Sequence, residues 1–459
     1  MKYKTINPTT EDELFTYQQT TNDEIDKILT KAQTSFKSWR NKSFHFRAEK
    51  LFKIASILRK NKYVLCNAMA IEMGKPIALG LTEIEKCAVV CEYYAEYSEK
   101  ILSDKPIKTE RTASYVSFQP IGPILAIMPW NFPFWQVFRF VAPNLMLGNS
   151  IILKHAPNVS NCSILIENLF READFSTHVF SNLLISPENV SAIVSNIISD
   201  NRISGVTLTG SANAGSFVAS LAGKHLKKSV LELGGSDAYI ILKDANLNLA
   251  VPQCVTSRMN NTGQTCIAAK RFIVDQAIAN DFTRLFVEES NKIISGDPLD
   301  ESVMMGPMAR RDLQMNVHNQ VLRSIKEGAK LELGGEIPIK KGFFYPPTVL
   351  TNIKSNSLVF HEEIFGPVAS IITFNNENEA IQLANSTDFG LGAAIFTQDI
   401  EKGNFIAKEK LEAGSCFVNE FVKSDPRLPF GGIKSSGFGR ELSELGIIEF
   451  ANIKTVVVK

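Results

Sequence analysis

The feature that most restricts the fold of this chain is an alternation of strand-like and helix-like runs between residues 124 and 235. Segments with helical periodicity, such as VSNCSILIENLFRE and PENVSAIVSNII, separate short β-prone runs. The β-prone runs are ILAIM (124–128), SIILK (150–154), HVFSNLL (178–184), GVTLTG (205–210) and SVLELGG (229–235). This spacing predicts an α/β fold, in which a parallel sheet carries helices on its faces and binds ligands at the carboxyl ends of its strands.

Further structured regions flank this alternation. Residues 22–101 show apolar residues at helical spacing, with Asn22 as the predicted N-cap of the first helix. A second α/β stretch begins near residue 236, and its β-prone runs are at 272–276, 368–374, 392–397 and 415–419. A chain of 459 residues is too long for one core, so at least two domains are predicted. The β-prone tail IKTVVVK is expected to pair far from its sequence neighbours, with another subunit as one option.

Composition excludes several classes of partner. Lys and Arg number 49 against 48 Asp and Glu, so the chain has no electrostatic footprint for nucleic acid or an anionic membrane. No apolar run has the length of a signal peptide or a transmembrane helix. The seven cysteines are odd in number and the six histidines are scattered. Reduced thiols in a cytoplasmic protein without a metal site are therefore predicted.

One cysteine stands in a distinctive local setting. The segment NNTGQTCIAAKR (260–271) places Cys266 directly after a polar, turn-forming run, and small residues follow it. A lone cysteine is more often an inert small apolar residue than a nucleophile. A buried structural thiol needs no such turn, whereas a substrate must reach a nucleophile, so the segment favours a catalytic Cys266.

Three other segments carry groups that a thiol nucleophile needs. Asn131 in MPWNFPFW (128–135) is either a turn residue before Pro133 or an amide donor to an oxyanion. Glu232 in LELGGSDAYIIL (231–242) lies in an apolar run, so it is either a buried ion-pair partner or a general base with a raised pKa. The glycine-rich helix start in GVTLTGSANAGS (205–216) suits a phosphate, although it matches neither a P-loop nor the G-x-G-x-x-G pattern.

Taken together, the chain resembles the aldehyde dehydrogenase superfamily over nearly its whole length. Seven motifs occur in the family's order: WNFP, LKHAP, LTGSANAG, LELGG, NTGQTC, EEIFGP and PFGGIKSSGFGRE. The last of these, with LKHAPNVS and the short N-terminus, looks most like the bacterial succinate-semialdehyde dehydrogenase branch. The resemblance implies NAD(P)-dependent oxidation of succinate semialdehyde to succinate through a cysteine thiohemiacetal and thioester.

The resemblance also implies a domain plan. It predicts an aldehyde dehydrogenase-like fold with a parallel-sheet cofactor domain, an α/β catalytic domain and small oligomerisation strands, assembled into homodimers or homotetramers. Residues 1–235 would form the NAD(P)-binding domain, with a β-hairpin near 108–122 contributing to oligomerisation. Residues 236–428 would form the catalytic domain, and residues 429–459 a C-terminal return with an oligomerisation strand.

Site residues carry over position by position. Cys266 matches the nucleophile, Glu232 the base and Asn131 the oxyanion donor. Residues expected to bind NADP or NAD are Met128, Pro129, Trp130, Lys154, Gly210, Ser211, Gly215, Leu233, Glu363 and Phe365. Many family members carry a Glu three residues after the ribose-binding Lys, where it holds the adenosine ribose. Here Pro157 takes that place, which leaves room for the 2′-phosphate of NADP.

Substrate choice depends on cationic residues. Arg139 lies eight residues after Asn131, the spacing at which succinate-semialdehyde dehydrogenases carry a carboxylate-binding Arg, and the alternative is a surface Arg with a solvated head. Arg258, Ser424 and Arg427 are further candidates. Three alternatives stay open: oxidation of other aliphatic aldehydes or semialdehydes, a CoA-acylating reaction, and a non-catalytic dinucleotide-binding protein.

Overall fold

The N-terminal region supplies helices that pack beside the first sheet. The computed structural model describes residues 1–459. The chain opens with β1 (Lys2–Ile6), β2 (Glu13–Gln18), α1 (Asn22–Trp39), α2 (Phe44–Lys60), α3 (Lys62–Met73), α4 (Ile77–Ile101), β3 (Lys105–Pro106) and β4 (Ala113–Pro120). The N-cap of α1 is Thr21, not the predicted Asn22, because the Thr21 hydroxyl accepts the Glu24 N–H and the Glu24 carboxylate bonds back to Thr21.

The alternation between residues 124 and 235 forms the predicted parallel sheet. Its elements are β5 (Pro123–Met128), α5 (Trp135–Leu147), β6 (Ser150–His155), α6 (Ser160–Glu172), β7 (Phe180–Leu183), α7 (Val190–Ser199), β8 (Gly205–Thr209), α8 (Ala212–Lys224) and β9 (Lys228–Glu232). Strands β5 to β9 are all parallel, in the order β9-β8-β5-β6-β7. The carboxyl ends of these strands therefore lie along one edge, where the MPWNFP, LTGSANAG and LELGG segments meet.

A second sheet follows, and the chain then returns to the first. The second sheet and its helices comprise β10 (Asp237–Ile241), α9 (Leu247–Met259), β11 (Ala269–Asp275), α10 (Ala279–Ser290), α11 (Arg311–Lys326), β12 (Lys330–Leu333), β13 (Thr348–Thr351), α12 (Leu358–His361), β14 (Val368–Phe374), α13 (Glu377–Asn385), β16 (Gly392–Phe396), α14 (Ile400–Glu409) and β17 (Ser415–Val418). The short strand β15 (Phe389–Gly390) precedes β16 and lies outside this sheet. The seven strands of the second sheet are ordered β12-β13-β14-β11-β10-β16-β17, and only β12 is antiparallel to its neighbour.

The last segment contacts both earlier parts of the chain. It consists of β18 (Ile433–Lys434), β19 (Gly437–Phe438), α15 (Ser443–Ile448) and β20 (Ala451–Val458). Strand β18 pairs with β15, whereas β19 adds antiparallel to β9 and so becomes the edge of the first sheet. Strand β20 pairs with β4 of the same chain over eight residue pairs, in a sheet ordered β20-β4-β3. The tail is therefore a strand, as its sequence predicts, and its partner lies within this chain.

Helix α5 is buried along its whole length. Each of its 13 residues is buried, although one of them is the cation Arg139. A guanidinium in such a place needs an anionic partner, and that partner is part of the site described below. None of the helices combines the length and the apolar character that crossing a membrane requires.

Candidate active site

Cys266 follows a strained turn that lies between α9 and β11. After α9 ends at Met259, the chain passes through Asn261, Thr262 and Gly263, which have φ values of 55°, 59° and 69°. Two successive non-glycine residues in the left-handed region are costly and persist only where contacts fix them. The Thr262 hydroxyl donates to the Gly306 carbonyl at 3.0 Å, which is one such contact.

Asn131 and the cysteine loop are tied together by side-chain amides. The Asn131 Nδ2 donates to the carbonyl of Gln264 at 3.0 Å, and the Asn261 Nδ2 donates to the carbonyl of Asn131 at 2.8 Å. Asn131 is buried, and its Oδ1 has no hydrogen-bond partner. These bonds hold the end of β5 against the turn that carries Cys266.

Glu232 is the last residue of β9 and is buried with both carboxylate oxygens unpartnered. Burial raises the pKa of this carboxyl well above its usual range, and the neighbouring Glu441 raises it further, while Arg139 and Arg440 act in the opposite direction. A Cβ on Gly431 would lie 2.7 Å from Glu232 Oε1, so the absence of a side chain there leaves room for the carboxyl.

The buried Arg139 has its partner in Glu441. Its Nε forms an ion pair with Glu441, and both side chains are almost fully buried, although the pair lacks the alignment of a good hydrogen bond. The guanidinium also lies over the ring of Phe430, 4.6 Å from its centroid. Arg139, Glu441 and Glu232 therefore form one cluster of interacting charges beside the thiol.

Cys266, Arg139 and Ser424 line one cavity of about 250 Å³. Its walls combine apolar rings with charged side chains, and the residues that matter below are Glu83, Lys86, Trp135, Phe430 and Lys423. Asn131 and Glu232 are not among the residues that line it. The cavity thus opens onto the thiol, and the Asn131 amide and the Glu232 carboxyl are not part of its lining.

The thiol is neutral in this environment at neutral pH. Cys266 is only half-buried, unlike the five fully buried cysteines, but burial still raises its pKa to about 11. Arg139 and Lys270 oppose this shift, and Glu363 and Glu232 reinforce it. Attack by Cys266 therefore requires that a base remove its proton.

The predicted cofactor residues lie at the carboxyl edge of the first sheet. Met128 ends β5, Lys154 lies near the end of β6, and Gly210 follows β8 directly. Ser211 caps α8, since its hydroxyl accepts the Ala214 N–H at 3.3 Å. The buried Lys154 ammonium makes no hydrogen bond or ion pair within the chain, and burial lowers its pKa to about 8. A free cation and a helix N-terminus at the same edge of a parallel sheet suit the hydroxyl and phosphate groups of a dinucleotide.

Close packing on this edge leaves little room for side chains. A Cβ on Gly215 would lie 2.5 Å from Leu233, so α8 approaches β9 closely. Pro129 and Trp130 follow β5, and the Trp130 ring meets the edge of Phe365 with centroids 5.8 Å apart. Glu363 accepts the Gly235 N–H at 3.1 Å and lies 3.3 Å from Lys270.

Two of the predicted substrate residues lie elsewhere. Arg258 is fully buried at the end of α9, where it donates to the Gly263 carbonyl beneath the cysteine turn. Arg427 is exposed and forms an ion pair with Asp425. Neither lines the cavity that contains Cys266, so neither is placed there to contact a substrate. The Arg258 side chain turns toward the loop carbonyl and the Arg427 side chain lies in solvent, so substrate binding by either residue stays a prediction.

Sequence reasoning missed two charged residues of the site. Glu441 ends the glycine-rich motif, and nothing local indicates that it pairs with Arg139, 302 positions earlier in the chain. Lys86 lies on α4, and the spacing of residues on one face of this helix gives a weak sequence signal for it. With Leu79, Thr82 and Glu83 it occupies positions i, i+3, i+4 and i+7 of one helix face, and that face lines the cavity.

Comparison with known proteins gives a uniform result. The model of the aldehyde dehydrogenase family matches residues 1–456. A succinate semialdehyde dehydrogenase of Escherichia coli strain K12, named for NAD(P)+, is 45% identical over 98% of this chain and 96% of its own length. A probable NADP+ succinate-semialdehyde dehydrogenase of Synechocystis is 44% identical over 99% of both chains.

A solved structure is similarly close. The succinic semialdehyde dehydrogenase of Streptococcus pyogenes, crystallised in complex with NADP+, superposes with a TM-score of 0.96. It shares 37% sequence identity with this chain, and 99% of each chain is covered.

Proposed function

Because the chain belongs to the aldehyde dehydrogenase family, we propose that it oxidises succinate semialdehyde to succinate with NAD or NADP. The observation that carries this proposal is the half-buried Cys266 at the end of a strained turn, in one cavity with the cationic Arg139 and the Ser424 hydroxyl. A nucleophile and anion-binding groups in one enclosed space suit an aldehyde that ends in a carboxylate.

In this mechanism Cys266 attacks first. Solvent water takes the thiol proton, the thiolate sulfur bonds to the aldehyde carbon, and the carbonyl π pair moves to oxygen to give a thiohemiacetal oxyanion. Asn131 and the backbone N–H of Cys266 donate hydrogen bonds to that oxygen, and each such donor contributes about 3 kcal/mol to the barrier reduction. The Asn131 amide has a second N–H besides the one that donates to Gln264.

Glu232 serves the second half of the reaction. When bound, the nicotinamide supplies the electron acceptor for the aldehyde C–H bond, and a thioester remains on Cys266. Glu232 then takes a proton from water, whose oxygen bonds to the thioester carbon; the C–S bond breaks, the acid is released and Cys266 leaves as the thiolate, which is reprotonated. A carboxyl with a raised pKa is a stronger base once ionised, so deacylation is expected to accelerate as pH rises through the pKa of Glu232.

The residues around the crevice fit a dinucleotide. The capped α8 N-terminus with Gly210 and Ser211 would bind the pyrophosphate, and Lys154 the adenosine ribose. Glu363 would hold the nicotinamide ribose, in a position fixed by Gly235 and Lys270.

The surroundings of Pro157 suit an additional phosphate. A cavity of about 590 Å³ is lined by Pro157 and Asn158 and has no acid in its lining. Its three cations, Lys4, Arg310 and Arg311, are each ion-paired with an acid outside the lining. The two side-chain amide atoms of Asn158 are buried without hydrogen-bond partners. This lining lacks the carboxylate that would repel a 2′-phosphate.

We therefore expect wild-type enzyme to use NADP at least as well as NAD. Pro157→Glu should weaken NADP by about one to two orders of magnitude in kcat/KM through like-charge repulsion, with a much smaller effect on NAD. Pro157→Gln, which places an uncharged side chain of the same size as Glu at this position, is the matched control and should keep the wild-type ratio of kcat/KM for NADP to that for NAD. Strict NAD dependence of the wild-type enzyme would contradict the proposal.

Arg139 stays a predicted contact for the substrate carboxylate. Because it is ion-paired with Glu441, its removal would affect the structure of the site as well as substrate binding. Arg139→Ala leaves the carboxyl of Glu441 buried and unpaired beside Glu232. Breaking a buried pair in this way costs about 3–5 kcal/mol. Loss of activity in this variant would therefore not separate substrate binding from support of the site.

The proposed substrate is tested directly by steady-state rates. Purified enzyme is assayed with succinate semialdehyde, butanal and other aliphatic aldehydes, each with NADP and NAD. Charge-assisted bonds contribute about 1.5–3 kcal/mol, so succinate semialdehyde should exceed butanal by roughly one to two orders of magnitude in kcat/KM. Equal values for the two aldehydes would restrict the proposal to general aldehyde oxidation.

We also propose a cytoplasmic homodimer or homotetramer. Support comes from β20, whose outer edge is unpaired in the β20-β4-β3 sheet and exposes Ile453, Val457 and Val458. The seven thiols form no disulfide, as in a reducing compartment. Light scattering that gives the mass of one chain, or recovery of the native protein outside the cytoplasm, would contradict this proposal.

A further inference from the structure

We propose that Lys86, together with the hydroxyl of Ser424, binds the carboxylate of the substrate at the end of the cavity away from the thiol chemistry. The proposal rests on the proposed function and identifies the residue that selects an acidic aldehyde. It concerns a cation on α4 outside the sequence motifs from which the site was predicted.

The ammonium of Lys86 is held over the cavity without an acidic partner. Its Nζ donates to Ser424 Oγ at 2.7 Å and lies 4.3 Å from the centroid of the Trp135 ring. No carboxylate oxygen lies within 4 Å of it. An ammonium has three N–H donors, and the Ser424 bond uses one, so two remain for a ligand.

The other charged groups of the cavity are already engaged. Arg139 is ion-paired with Glu441, and Lys423 with Glu420. The charge that Arg139 brings to the cavity is therefore largely balanced by its partner. Lys86 is the cation of this lining that no ion pair neutralises.

The acid nearest to Lys86 on the helix face is not free to neutralise it. Glu83 is ion-paired with the fully buried Lys75, and its Oε1 accepts the N–H groups of Phe134 and Trp135 at 2.9 and 3.0 Å. These bonds fix the Glu83 carboxylate at the start of α5. A half-buried, unpaired cation gains most from an anionic ligand, because the ligand restores the interactions lost with water.

The Lys86 ammonium is expected to lose its proton within the pH range of a kinetic assay. Burial lowers its pKa to about 8, and the Arg139 guanidinium on α5 contributes in the same direction. Cys87 and Glu83 on its own helix and Asp425 on the facing segment raise it. The ammonium is therefore present below about pH 8 and lost as pH rises through that value.

The test compares two aldehydes of equal carbon number. Lys86→Met keeps the length and the apolar stem but removes the charge. It should lower kcat/KM for succinate semialdehyde about ten- to hundredfold, chiefly through KM, and leave butanal within about twofold. Lys100→Met, an exposed lysine on the same helix, is the matched control and should change neither substrate.

The pH dependence of the ratio distinguishes charge recognition from a structural role. The ionisations of Cys266 and Glu232 affect the oxidation of both aldehydes equally. They therefore cancel when kcat/KM for succinate semialdehyde is divided by kcat/KM for butanal. That ratio should fall above about pH 8 in the wild-type enzyme and stay flat in Lys86→Met. Lys86→Arg keeps its charge over this range, so it should restore much of the preference and remain flat.

The outcomes separate this inference from the proposed function. If wild-type enzyme prefers succinate semialdehyde but Lys86→Met keeps that preference, Lys86 does not bind the carboxylate and the inference is overturned. An equal loss for both aldehydes would assign Lys86 a structural role and also overturn it. If the wild-type enzyme shows no preference, the proposed substrate itself fails.

Discussion

Cys266→Ala is expected to abolish aldehyde oxidation and leave cofactor binding intact. Removal of the nucleophile eliminates the covalent path, so turnover should fall by at least about four orders of magnitude. The turn that presents Cys266 is fixed by Asn261 and Thr262 through contacts that do not involve the thiol. The substitution should therefore leave the crevice at the sheet edge unchanged. The measurements are NADPH formation at 340 nm and titration of NADP binding by tryptophan fluorescence.

A second cysteine controls for general effects of thiol removal. Cys416 on β17 is half-buried, as Cys266 is, and lies outside the cavity that contains the nucleophile. Cys416→Ala should keep turnover within a few-fold of the wild-type enzyme. Near wild-type turnover in Cys266→Ala would refute the assignment of the nucleophile.

Glu232→Gln should separate the two halves of the reaction. The amide has nearly the size of the carboxyl, so the fit beside Gly431 is retained while the base is lost. Steady-state turnover should fall about 10²–10⁴-fold because water is no longer activated, whereas the first NADPH burst should persist. Rapid mixing with succinate semialdehyde, followed by absorbance at 340 nm, measures both phases.

Glu449→Gln is the matched control for this variant. Glu449 pairs with Lys228 at 3.0 Å and accepts the Arg440 N–H, but it contacts neither the cavity nor the thiol. Its replacement should change neither phase appreciably. If Glu232→Gln loses the burst together with turnover, Glu232 acts in thiol activation or in holding the site, and its assignment as deacylation base is wrong.

The parts of this fold that depend on short-range patterns could be predicted from the sequence. The β-prone runs at 124–128 and 150–154 lie within β5 and β6, because continuous apolar runs between helical segments occur in buried parallel strands. The pairings of β19 with β9 and of β20 with β4 join residues about 205 and 340 positions apart, and no local pattern specifies them.

The residues of the candidate site also divide into those that a local sequence pattern indicates and those that it does not. Cys266, Asn131 and Glu232 each stand in a segment whose local composition already indicates a special role. The direction of a long side chain is not encoded locally: Arg139 points to Glu441, and Arg258 to the carbonyl of Gly263. Lys86 could be predicted only weakly, from the helix face that it shares with Glu83, because its neighbours in the cavity, Ser424 and Trp135, come from distant segments.

The most direct test of this account is the chemistry that wild-type enzyme performs on succinate semialdehyde in the absence of CoA. Enzyme, NADP and the aldehyde are mixed in water enriched in ¹⁸O, and NADPH and succinate are quantified together. We expect one succinate for each NADPH and at least one solvent oxygen in the new carboxylate, introduced when the thioester is hydrolysed. Absence of NADPH formation, or turnover that requires CoA and yields a CoA thioester, would contradict it.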